Sequence, residues 1–153
     1  MVEQAEQALQ VRSEQESKVA YELILADHHA LFRAGLKEIL NESPDLRVVG
    51  EASDNSGLLN LLTRLSPHMV LLDLSLPNLQ LIKSVSEIRR IHADIKILIM
   101  AMDRIEEYVS ETFAAGADGY LLKDEANEEL MFAIESILKG SKYVPPFLRP
   151  VIA

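Results

Sequence analysis

Short, nearly unbroken apolar runs alternate along the chain with segments whose apolar residues recur every three or four positions. The runs are Glu22–Ala26, Arg47–Glu51, Met69–Asp73, Lys96–Ala101 and Gly119–Leu122, most of them rich in Leu, Ile, Val and Met. A strand covered on both faces has no solvent side to keep polar, so these runs predict buried strands of a parallel sheet. Five stripes lie between and after them. They are Phe32, Leu36, Ile39 and Leu40; Leu58, Leu59, Leu62 and Leu65; Ile82, Val85, Ile88 and Ile91; Ile105, Tyr108, Val109, Thr112 and Phe113; and Leu130, Ile134, Ile137 and Leu138. Each repeats with the period of a helix that buries one face. Asp54 stands where it can cap the second helix, and Gly140 where it can end the fifth. The pattern is therefore β-α five times over. Right-handed crossovers put helices on both faces, giving an α/β, doubly wound, five-stranded parallel sheet with five helices.

The flanks break the pattern. Residues 1–20 are rich in Glu and Gln, and Val2, Leu9, Val11 and Val19 make no continuous stripe. They are expected to form a flexible leader, with a helix docked on a partner as the other reading. Residues 141–153 carry Pro145, Pro146 and Pro150, which forbid a continuing helix. They are expected to be a linker leaving a domain of residues 21–140.

Composition narrows the classes. A chain of 153 residues is the size of one domain and buries one core without staples. It has no cysteine, which removes disulfides and thiolate metal sites, and a cytoplasmic setting is expected. A formal charge of −9 repels phosphate backbones, so this chain alone should not bind nucleic acid. No apolar run reaches the roughly 20 residues that cross a bilayer, so no membrane partner is expected.

Chemistry in an open parallel sheet collects at the carboxyl ends of the strands. Here the first strand ends in Asp27-His28-His29, the third in Asp73, the fourth in Ala101 and the fifth in Lys123. Two carboxylates and a lysine on one sheet edge make a charged site. The stretches ILADHHALFRAGLKEIL, MVLLDLSLPN and AGADGYLLKD, in that order, resemble the opening, phosphoacceptor strand and last strand of response-regulator receiver domains. Lys-Asp after the fifth strand and the tail GSKYVPPFL bring the resemblance nearest to the NarL/FixJ type, whose output domain is of the LuxR type.

The resemblance implies a flavodoxin-like strand order of 2-1-3-4-5 and a role for each residue at the edge. Asp73 matches the phosphoacceptor. Asp27, Asp73 and the backbone carbonyl of Ser75 match the ligands of Mg²⁺, and Lys123 matches the lysine that meets the phosphoryl oxygens. Tyr120 matches the aromatic switch position, while Gly116 and Gly119 match turn positions before the fifth strand. The implied partners are a sensor histidine kinase, a homodimer partner and a helix-turn-helix output domain in the full-length protein. Phosphoryl transfer is mostly positioning and charge neutralisation, which such residues supply.

Three departures break that pattern. His28 stands where the family has its second acidic residue, and imidazole suits Mg²⁺ poorly. Ala101 stands where the family has a hydroxyl that bonds the phosphoryl group. Gln80-Leu81 replaces Asp-Gly after the acceptor loop. Two readings stay open: a receiver phosphorylated on Asp73, and a pseudo-receiver that works through its surfaces without phosphorylation. His28 and His29 as a transition-metal pair is a third, weaker reading. An enzyme on the same fold is disfavoured. A flavin phosphate would meet a carboxylate after the first strand, and an aspartyl phosphatase would need an acid at Ser75.

Overall fold

The computed structural model describes residues 2–7 and 20–149. Residues 2–7 are helical and exposed; the rest of the expected leader, and the end of the expected linker, lie outside the described residues.

Five strands form one parallel sheet: β1 (Tyr21–Ala26), β2 (Leu46–Ala52), β3 (Met69–Asp73), β4 (Lys96–Ala101) and β5 (Gly119–Leu122). Their order is β2-β1-β3-β4-β5, as the resemblance implies. Helices α1 (Ala30–Asn41), α2 (Asn55–Arg64), α3 (Leu81–Ile91), α4 (Glu106–Ala114) and α5 (Ala126–Leu138) fill the crossovers and close the chain of elements. Period-two alternation sorts each strand's side chains between two cores. Leu23, Leu25, Met69, Leu71, Leu98 and Met100 face α1 and α5, packing on Leu36, Leu40, Leu130 and Ile134. Ile24, Val70, Leu72, Ile97 and Ile99 face the other way, onto Leu58, Leu62, Val85, Ile88 and Val109.

The helix ends follow local chemistry. Asp54 accepts the Gly57 N–H at 2.7 Å and caps α2, as expected. At the end of α5 the Gly140 N–H bonds Ile137 and the Ser141 N–H bonds Ser136, a Schellman pair that needs the positive φ of Gly140.

Two helical stripes differ from expectation. On α3, Val85 and Ile88 are buried but Ile82 is 74% exposed. Leu81, one turn before Val85, packs on the core in its place. On α4, Val109 and Thr112 are buried while Ile105 and Tyr108 stay partly in solvent. Gly119 also needs correction. It lies within β5, and what it supplies is room. A Cβ there would meet Ile137 at 2.8 Å, Leu98 at 3.0 Å and Tyr143 at 3.1 Å.

The segment expected to leave the domain after Gly140 docks on it instead. Tyr143 bridges Gly119 as a parallel partner, donating its N–H to Asp118 and accepting that of Tyr120. The Tyr143 side chain is buried, and so is Leu148 in a short 3₁₀ turn (Pro146–Leu148). The open edge of β5 carried N–H and C=O groups in need of partners, and the tail supplies them.

Asp118 ties this edge together. Its carboxylate accepts the Ile97 N–H at 2.8 Å and meets Arg89 at 3.1 Å and Lys142 at 3.2 Å. Burial pushes its pKa up, but that hydrogen bond and the two cations outweigh burial and hold it low. Such a depressed carboxylate adds stability above about pH 4 that is lost as pH falls through its folded pKa. Asp118→Ala strands the Ile97 N–H and should cost about 1–3 kcal/mol at pH 7. Urea unfolding at pH 7 and pH 3 checks this, because the loss should shrink in acid.

Candidate functional site

The carboxyl ends of β1, β3, β4 and β5 converge, and the sequence-derived residues meet there. Asp27 follows β1 and keeps its backbone in the ladder through the Ala52 carbonyl at 3.0 Å. Its Oδ1 accepts the His29 N–H at 2.7 Å, a turn that sends the chain into α1. Its Oδ2 lies 2.7 Å from Lys123 Nζ. Asp73 ends β3. Its Oδ1 accepts from the Ser75 N–H at 3.0 Å and the Ser75 hydroxyl at 2.9 Å, with Lys123 Nζ at 3.3 Å. Its Oδ2 is 3.1 Å from His28 Nδ1.

Opposite charges are packed together in this cluster. The side chains of Asp27, Asp73 and Lys123 are 0, 1 and 4% exposed, so both carboxylates depend on the ammonium between them. Burial pushes the Asp73 pKa up; the two Ser75 hydrogen bonds and Lys123 pull it further down, leaving it below the usual carboxylate value. The Lys123 ammonium also stands 4.7 Å over the Phe32 ring. His28 and His29 stack with ring centres 3.8 Å apart at the open side of the cluster.

Ser75 reaches Asp73 through its N–H and hydroxyl. Ala101 is buried at the end of β4, in the wall of a cavity of about 380 Å³ that extends from Asp73 past Leu81 and Met102 to Tyr108. Tyr120 points inward, fully buried, and its hydroxyl donates to the Asp103 carbonyl at 2.8 Å. Burial pushes that hydroxyl up to about 12, so it remains a donor. The bond anchors the β4–α4 loop to β5. A second tie, Arg104 to Asp124 at 3.0 Å and to Glu125 at 2.9 Å, closes the same loop from outside. Gln80 starts α3, with its N–H on the Ser84 hydroxyl. Gly116 turns the chain before β5 at φ 104°.

Sequence reasoning passed over Arg33. It donates to the Asp27 carbonyl and to Glu51 at 2.8 Å, fastening the β1–α1 turn to β2. The only available signal was its place one turn into the helix that follows the Asp-His-His turn.

Comparison with known proteins identifies the family. The family model described as the response regulator receiver domain matches residues 23–135. The nitrate/nitrite response regulator protein NarL of Escherichia coli (strain K12) is 34% identical over 131 residues, which cover 86% of this chain and 61% of that protein. The oxygen regulatory protein NreC of Staphylococcus aureus (strain JH9) is 36% identical over 123 residues, 80% of this chain and 57% of that protein. The chain thus spans about three-fifths of the length of these curated relatives. Among solved structures, a LuxR-family two-component response regulator from Aurantimonas sp. superposes with a TM-score of 0.80 at 32% identity, covering 87% of this chain and 95% of that one. The isolated receiver domain of RcsB from Salmonella enterica serovar Typhimurium, in its apo form, gives 0.78 at 26% identity, covering 86% and 98%. With strand order and family model in agreement, the chain belongs to the response regulator receiver domain family, in its NarL/FixJ branch.

Proposed function

We propose that this receiver is an atypical one: Asp73 is kept in a closed ion cluster, Mg²⁺-dependent phosphorylation is weak, and control passes to an output domain by other means. The observation that carries the reading is the imidazole on Asp73. Oδ1 is engaged by Ser75 and Lys123, so Oδ2 is the oxygen left to attack a phosphoryl group, and His28 Nδ1 sits 3.1 Å from it. A base or donor in that position competes with the nucleophile's approach. It also replaces an acidic ligand.

Receivers of this family bind Mg²⁺ at an acidic pocket, and the corresponding cluster here is Asp27, His28, His29 and Asp73. These donors do not fit that ion. Mg²⁺ demands near-octahedral oxygen, whereas two of the four groups are imidazoles and Asp27 Oδ2 is already paired with Lys123. Ala101 adds a second defect, since its methyl group offers no donor to a phosphoryl oxygen.

Membership in this branch supports a sensor kinase upstream and a helix-turn-helix output domain after Ala153 in the full-length protein. Residues 21–149 then form the receiver unit. Among the described residues no helix is long and apolar enough to cross a membrane.

The test is treatment with a small phosphodonor and Mg²⁺, followed by intact mass. Wild type should gain little of the 80-dalton adduct. His28→Asp should restore Mg²⁺ binding but leave switching poor. Adding Ala101→Thr should restore coupling to the Tyr120 surface, because a neutral hydrogen bond of roughly 0.5–1.5 kcal/mol moves a balanced equilibrium several-fold. Full phosphorylation of wild type would reinstate the ordinary receiver reading.

A further inference from the structure

The groups that disfavour Mg²⁺ suit a different ion. We infer that Asp27, His28, His29 and Asp73 bind a borderline divalent transition metal, with Zn²⁺ as its best representative, and that this ion displaces Lys123 from between the carboxylates. The inference rests on the reading that Mg²⁺ does not fit here.

Geometry carries it. One donor atom from each of the four residues lies within 4.8 Å of all the others. A tetrahedral Zn²⁺ with bonds of about 2.0–2.1 Å has donor-donor edges of about 3.3–3.4 Å. The His28 Nδ1 to Asp73 Oδ2 edge is 3.1 Å and the His29 Nδ1 to Asp27 Oδ1 edge is 3.4 Å. Two edges of the polyhedron are therefore already near their final length. Closing the remaining ones takes side-chain movements of the order of an ångström.

Charge and chemistry agree. Two carboxylates neutralise a divalent ion, and imidazole nitrogen selects Zn²⁺, Ni²⁺ or Cu²⁺ over Mg²⁺. A cation already lies against the cluster: Lys123 Nζ is 2.7 Å from Asp27 Oδ2 and 3.3 Å from Asp73 Oδ1, the carboxylate oxygens opposite those facing the imidazoles, and 3.4 Å from His29 Nδ1. The place is thus built for positive charge, and the ammonium beside it neutralises the same two carboxylates. His28 and His29 are partly exposed, which gives an ion a path in. Once bound, the metal occupies Asp73 and turns Lys123 outward, so the site exchanges a phosphoryl input for a metal input.

The experiment is titration of the whole chain with Zn²⁺ against a chromophoric chelator, with Mg²⁺ in parallel and Co²⁺ for its visible spectrum. One Zn²⁺ per chain should bind at least about 100-fold more tightly than Mg²⁺, and Co²⁺ should give an intense tetrahedral band. His28→Gln and His29→Gln should each weaken Zn²⁺ by more than the roughly 10–100-fold that loss of an outer-shell partner costs. His68→Gln, whose ring bonds the Glu22 N–H far from the cluster, should change nothing. His28→Asp should move the preference toward Mg²⁺. Circular dichroism checks that each variant folds. Zn²⁺ binding that ignores His28 and His29, or follows His68, overturns the inference. Failure of both ions to bind overturns it while leaving the atypical receiver reading intact, whereas tight Mg²⁺ binding by wild type overturns that reading too.

Discussion

Replacing Lys123 with methionine is expected to destabilise the domain by about 3–5 kcal/mol at neutral pH, the cost of removing one partner from a buried ion pair. Methionine keeps an unbranched side chain while removing the ammonium from Asp27, Asp73 and the Phe32 ring, so the change isolates the charge. What remains is a pair of carboxylates, Asp27 and Asp73, both almost fully buried and without the ammonium that holds them together. Burial already pushes the Asp73 pKa up and is outweighed only by Ser75 and Lys123. Without Lys123 one carboxylate should take up a proton on folding. The sign of the pH dependence then reverses locally. In wild type the depressed Asp73 adds stability above about pH 4 that fades as pH falls through its folded pKa. In Lys123→Met the folded protein binds more protons than the unfolded chain, so stability should rise as pH is lowered from 8 toward 5. Thermal melts in chelator-treated buffer read both effects. A drop of roughly 6–20 °C at pH 7 follows from about 2–4 °C per kcal/mol for a chain of this size. An unchanged midpoint, or a slope of the wild-type sign, would mean that the carboxylates do not need the lysine.

Much of this was legible in the sequence because it depends on local pattern. The β3, β4 and β5 boundaries follow from continuous apolar runs between polar residues, and the Asp54 and Gly140 caps from the chemistry of helix ends. The cluster of Asp27, Asp73 and Lys123 was visible because a parallel sheet brings all its carboxyl ends to one edge. The misses have the opposite origin. Ile82 has the spacing of a core residue, yet α3 is rotated so that Leu81 takes the inward place. Asp118 gives no local sign of its importance, because its partners Ile97, Arg89 and Lys142 lie more than twenty residues away. The orientation of His28 toward Asp73, on which the functional reading turns, depends on the Asp27–His29 turn and on no feature of the histidine itself.

The tail is the largest of these misses, and cutting it should have a correspondingly large effect. The prolines rule out a helix but say nothing against an extended segment, and an extended segment is what an open sheet edge accepts. Tyr143→Ala should cost about 3 kcal/mol or more, as for other large aromatics removed from a core. The ring is buried against Phe132 at 6.1 Å between centres, with the Arg149 guanidinium 5.4 Å over its face. Tyr143→Phe keeps that packing and should stay within about 1 kcal/mol of wild type. Truncation after Gly140 removes Tyr143, Leu148 and the Lys142 and Arg149 ion pairs together, and leaves the Tyr120 N–H and Asp118 carbonyl unpaired. It should lower the melting midpoint by more than the roughly 6–12 °C that about 3 kcal/mol implies. It should also bring concentration-dependent self-association through the exposed β5 edge, readable by sedimentation. β5 is the link that gives this a functional side. Its first residue meets Tyr143 and its last precedes Lys123, so a change at the charged cluster and a change in tail docking act on opposite ends of one four-residue strand. If the truncated chain melts and sediments like the full one, the tail is a passive linker and β5 transmits nothing to it.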